Sequence, residues 1–137
     1  MSKFIILFIF NLSDTIDVPY FKNAKIILDG KLEEDIYKEA QKITEFIQTE
    51  PVPFQSPPES LVAYIFQNNE GLILGFHCIT KEREPDKSLQ GDEIQVFLDT
   101  YLDRENAYMF AIKANGEKGD ARFTSGGEKF DYWVELL

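Results

Sequence analysis

Chemistry in this chain has to be built from carboxylates and aromatic rings, because little else is available. His77 is the only histidine and Cys78 the only cysteine, so neither a multi-histidine zinc site nor an internal disulfide can form. No serine stands in a Gly-x-Ser-x-Gly elbow, and no glycine loop has phosphate-binding spacing. Asp and Glu together number 24, enough that a pair at glycosidase separation is available to a hydrolase. Calcium is a better use for them. Asp92, Asp99 and Asp103 gather around the ends of one predicted hairpin, and loop oxygens are what calcium takes. They lack EF-hand spacing, so a solvated acidic rim is the competing reading. Among the aromatics, Trp133 and Tyr101 are suited to stacking on a sugar ring. Glu93, Gln95 and Phe97 share one side of a strand and place a carboxylate, an amide and a ring where a polyol could be recognised. A plain solvent face, or one covered by the helix, accounts for the same pattern.

The elements that position these residues are β. From Gly91 to Thr100, Ile94, Val96 and Leu98 alternate with Glu93, Gln95, Phe97 and Asp99. Alternation over that length marks a strand with one face in a core. A polar loop, 101–106, leads to a second alternating run, Ala107 to Ala114, with Tyr108, Phe110 and Ile112 on one side. Together they predict an antiparallel hairpin at the centre of a sheet. Leu61–Gln67 and Leu72–Thr80, joined by Asn68-Asn69-Glu70-Gly71, predict another. Cys78 falls on the parity of Leu72, Leu74 and Phe76, which predicts a buried thiol, and His77 packs on, or is half-exposed at, the opposite face.

Ala24–Leu28 reads as a short strand ending at the Asp29-Gly30 turn. Over 31–43, Leu32, Ile36, Ala40 and Ile43 recur at helical spacing, with acids early and Lys38 and Lys42 later, predicting an amphipathic helix of two to three turns packed on the sheet. Four prolines between Glu50 and Pro58 impose an extended connection. Asn115–Asp120 reads as a turn and Ala121–Thr124 as a short strand. The fold class is therefore mostly β, an antiparallel β-sandwich with one short helix near residues 31–43.

The first twenty residues read as a signal peptide or an N-terminal strand. Lys3 precedes the apolar run Phe4–Phe10, which is too short to span a bilayer and lacks a small-x-small cleavage site. The composition, 44% hydrophobic and 28% charged in 137 residues, is that of one globular domain. Twelve Phe and six Tyr favour half-buried pleated surfaces. A net charge of −10 without a basic run argues against nucleic acid and against anionic lipid as partners.

Several segments together resemble a known family. Asp29-Gly30-Lys31-Leu32-Glu33-Glu34 with Tyr37 and Ala40 is similar to the Asp-Gly-x-Leu-Asp-Glu-x-x-Trp-x-x-Ala opening of carbohydrate-binding module family nine-like domains. Phe46-Ile47-Gln48-Thr49-Glu50-Pro51 fits the segment that follows it, and 91–100 resembles the family's Asp-Asp-x-Val-x-Val-x-Leu-Asp-Thr strand. Asp103-Arg104, Tyr108-Met109-Phe110, Asn115 and Asp120 continue the match. The resemblance implies a β-sandwich from residue 21 onward in a larger exported bacterial protein, periplasmic, outer-membrane-associated or extracellular. In one branch this domain precedes an outer-membrane β-barrel region, which would be the chain's link to a membrane. Related modules in secreted xylanases hold sugar chain ends between aromatic rings, with calcium in the fold. Tyr37 stands here for the usual Trp and Gln95 for a frequent Glu, and the chain looks cut short after Trp133. The expected function is non-catalytic carbohydrate binding. The alternatives are a structural periplasmic domain without a sugar site, and a hydrolytic domain.

Overall fold

The computed structural model describes residues 6–7, 16–48, 60–79, 93–113 and 115–124. Their elements in chain order are β1 (Ile6–Leu7), α1 (Ile36–Glu39), β2 (Gln41–Ile43), β3 (Ile47–Gln48), β4 (Ser60–Gln67), β5 (Leu72–Ile79), β6 (Glu93–Leu98), β7 (Ala107–Lys113) and β8 (Lys118–Phe123). All strand pairs are antiparallel, in the orders β1-β3, β2-β4-β5 and β6-β7-β8. The class is the one the alternation predicts: mostly β, with two three-stranded antiparallel sheets and, among the described residues, one short helix. The chain divides into two compact units, one within Phe4–Glu82 and the other carrying β6–β8 within Arg83–Leu137.

In the first unit, β4 is the central strand and both its faces are covered, which explains its near-continuous apolar run. Leu61 and Ala63 pack with Phe46, Ile43 and Phe76. Phe66, fully enclosed, packs on the other face with Tyr37 and Ala40, flanked by Phe21, Leu32 and Ile73. Tyr37 meets Tyr64 and Phe66 edge-on at 5.8 and 5.7 Å between ring centres, the arrangement that ring quadrupoles favour. Its ring lies over Gly75, paired with Tyr64 across the ladder. A Cβ there would sit 2.9 Å from both Tyr37 Cε1 and Leu32 Cδ2. Only glycine lets the ring approach this closely.

The N-terminal connector is stitched to the end of β4. Phe21 N–H donates to the Gln67 carbonyl and Gln67 N–H to the Pro19 carbonyl, both at 2.8 Å. Asn68, 6% exposed, ties the hairpin turn to the same connector. Its Nδ2 donates to the Ala24 carbonyl at 2.9 Å, and its Oδ1 accepts from Glu70 N–H and Gly71 N–H.

Four local expectations are corrected. The helix expected over 31–43 is a single turn: Ala40 is extended at ψ 152°, and Gln41–Ile43 instead pairs with Ile65–Ala63 of β4. Leu32, Ile36 and Ala40 do face the Phe66 cluster, but Ile43 belongs to the Phe46 cluster. A ladder to β4 outweighs the weak propagation of so short a helix. Ala24–Leu28 is not a strand, because side chains take the bonds that a ladder would have made. Asn68 caps the Ala24 carbonyl, Glu34 Oε1 accepts from Ile27 N–H at 2.9 Å, and Leu28 is exposed. Cys78 is exposed, since it lies in the last three residues of β5, where His77 and Ile79 are exposed too. β8 starts at Lys118, so Lys118–Asp120 is ladder and not turn.

Both expected hairpins are present. The β4–β5 register runs Ser60↔Ile79 to Gln67↔Leu72, and β6–β7 runs Glu93↔Lys113 to Leu98↔Tyr108. Of the N-terminal apolar run, Ile6–Leu7 pairs with Ile47–Gln48. The proline-rich connection, Asp92 and Trp133 lie outside the described residues.

Candidate functional site

The β6-β7-β8 sheet presents two faces, and register assigns each side chain to one of them. Leu98, Tyr108 and Arg122 form one cross-strand row, and Val96, Phe110 and Asp120 the next. The third row is Ile94, Ile112 and Lys118. Phe110 is 50% and Ile112 45% exposed on this face. Tyr108, Phe110, Asp120 and Arg122 border a shallow open cleft of about 200 Å³, to which Met109 and Ala121 also contribute. That is room for about one sugar ring, below the ~300 Å³ at which pockets begin to enclose a drug-sized ligand. The Arg122 guanidinium lies 5.9 Å from the centre of the Tyr108 ring, a cation–π contact.

The chemistry of this cleft is specific. Two rings supply flat apolar surface, Asp120 is a hydrogen-bond acceptor, and Arg122 offers a planar fork of donors. Its backbone is anchored by the Asn-Gly turn between β7 and β8. Gly116 takes φ 88°, its N–H donates to the Lys113 carbonyl, and Asn115 Oδ1 accepts from Glu117 N–H at 2.9 Å. Lys113 Nζ bonds Glu117 Oε2 at 3.0 Å, which holds the Glu117 carboxyl below its usual range.

The residues singled out from the sequence lie elsewhere on the same unit. Glu93, Gln95 and Phe97 are exposed and share the opposite face, as their parity predicts. Gln95 Nε2 donates to Glu93 Oε1 at 2.7 Å, which engages one amide N–H and one carboxylate oxygen. Phe97 packs on Phe123 at 5.4 Å between ring centres and pairs across the ladder with buried Met109, which pairs in turn with buried Ala121. Tyr101, 62% exposed, stands in the β6–β7 loop and is not among the residues that line the cleft.

Asp99 and Asp103 come together in the β6–β7 loop, where both accept from its donors. Asp99 Oδ1 accepts from Tyr101 and Asp103 N–H groups, and its Oδ2 from Arg104 N–H at 2.8 Å. Asp103 accepts from Glu105 and Asn106 N–H groups and from Asn106 Nδ2 at 2.6 Å. The Asn106 amide, followed by those backbone donors, keeps the Asp103 carboxyl below its ordinary range. These bonds hold Leu102 and Arg104 at φ 56° and 60°, a left-handed conformation that few such residues adopt. A calcium ion would compete with backbone donors for the same lone pairs. Among the described residues no group of three or more metal-ligating side chains converges.

Sequence reading missed the cleft because it took Lys118–Asp120 for turn. The available signal was charge at every second position, Lys118, Asp120 and Arg122, directly after an Asn-Gly turn. No protein-family model matches the chain, and no curated protein and no solved structure matches it.

Proposed function

We propose that this chain is a non-catalytic carbohydrate-binding domain of a larger exported protein, and that its sugar site is the Tyr108–Phe110–Asp120–Arg122 cleft. The observation that carries this reading is the cross-strand juxtaposition itself. Two rings, a carboxylate and a guanidinium share one face of a sheet around a space the size of a sugar ring. Open sheet faces suit long polymers, because a chain can lie across them without being enclosed. Stacking contributes affinity, while charged hydrogen-bonding groups fix ring orientation.

The test is binding of the whole chain to a panel of soluble and insoluble polysaccharides, with and without calcium, beside a circular dichroism melt. Tyr108→Ala abolishes binding while the melt is unchanged, and Trp133→Ala, run in parallel, reports any contribution of the lone tryptophan. A folded chain that binds no glycan overturns the reading and favours a structural domain.

A further inference from the structure

We infer that the cleft selects acidic sugars, uronic acid units of a polysaccharide, over neutral ones. This rests on the carbohydrate-binding reading above. Among the described residues, the charged side chains on the cleft face are Lys118, Asp120 and Arg122, two cations and one anion, on a chain whose net charge is −10. Alternate residues on a strand stand roughly 7 Å apart, so both cations lie within a Debye length of a bound ring. None of the three forms an ion pair among the described residues.

Arg122 is held for the task. Its guanidinium lies 5.9 Å from the Tyr108 ring centre, which orients the fork beside the surface on which a sugar would stack. A carboxylate at C5 of a stacked pyranose points outward in the ring plane, where a planar guanidinium accepts it through two parallel N–H···O bonds. Asp120, one row along the strand beside Phe110, takes ring hydroxyls as donors. Lys118 adds attraction to the next acidic unit of the polymer without fixing geometry.

The probe pair is tetragalacturonic acid and its fully methyl-esterified form, which share ring, linkage and size and differ in charge. Binding to the whole chain is measured by calorimetry at low salt and at high salt. The expected result is that the free acid binds at least about fivefold more tightly than the ester, with the ratio shrinking in high salt. Arg122→Gln brings the two ligands to equal affinity. Arg122→Lys, which keeps the charge and loses the fork, recovers less than half of the preference on a logarithmic scale. Asp120→Asn weakens the ester and leaves the acid unchanged or tighter. Ester and acid binding equally to the unaltered chain, or a preference that survives Arg122→Gln, overturns the inference while leaving sugar binding intact. Binding of neither ligand, nor of any neutral oligosaccharide, overturns the parent reading with it.

Discussion

Replacing Asn68 isolates what holds the first unit to its N-terminal connector. The side chain is 6% exposed and makes three hydrogen bonds: Nδ2 to the Ala24 carbonyl, and Oδ1 from the N–H groups of Glu70 and Gly71. At about 0.5–1.5 kcal/mol for each bond, Asn68→Ala costs about 2–4 kcal/mol, a large part of the ~5–15 kcal/mol that stabilises a domain. With a urea slope of about 1–3 kcal/mol/M, the midpoint falls by roughly 1–2 M. Asn68→Asp sharpens the test. It keeps both acceptor bonds but turns an oxygen toward the Ala24 carbonyl, and burial of its carboxylate raises the folded-state pKa. A raised folded pKa means that stability is fully present below the unfolded value near 3.9 and is lost as pH rises through the folded one. The Asp variant therefore recovers toward the parent in acid and falls behind it at neutral pH, whereas the Ala variant shows no such difference. Urea titrations followed by circular dichroism at pH 3.5 and 7 decide the matter. A loss below about 0.5 kcal/mol for Asn68→Ala, the range of an ordinary surface change, refutes the reasoning.

Other perturbations give equally definite outcomes. Gly75→Ala places a methyl 2.9 Å from the Tyr37 ring and Leu32, and the overpacking lowers stability by about 1–3 kcal/mol in thermal melts, a loss that a second change, Leu32→Ala, partly restores. Tyr37 is buried, and burial, then the charges of Glu34 and Asp29, raises its phenol pKa. Its contribution is thus full below the unfolded value near 10 and lost as pH rises through the folded one, so alkaline unfolding is less steep in Tyr37→Phe. Asn106→Ala removes the strongest bond to the Asp103 carboxylate and raises its pKa, read by carbon NMR of the carboxyl; calcium, if it uses Asp99 and Asp103, shifts the same signals at millimolar concentration.

The fold class was legible because period-two alternation reports burial directly. Ile94, Val96 and Leu98 share one side of β6 as their parity requires, and the Asn68–Gly71 turn falls where its residue types place it. The helix was half legible. Its apolar spacing found the contact face of Leu32, Ile36 and Ala40, but helical and extended backbone both satisfy that spacing, and the partner that decides, β4, lies some twenty residues on. Cys78 was misread because parity says which face a residue takes and not whether that end of the strand is covered. The cleft was least legible. Tyr108 and Phe110 were visible as neighbours on a strand, but Asp120 and Arg122 reach them through a pairing that glycine at 116 and 119 disguised as loop. Sites assembled across strands depend on register, and register is set by turn geometry that a single sequence specifies weakly.

The central claim is that one particular face of the β6-β7-β8 sheet binds sugar. Titrating the isotope-labelled chain with soluble oligosaccharides and following backbone amides tests it most directly. Saturable shifts concentrated at Tyr108, Phe110, Asp120 and Arg122, and absent in Tyr108→Ala, are the predicted result. Shifts confined to Glu93, Gln95 and Phe97 on the opposite face, or no shifts with any glycan, contradict it.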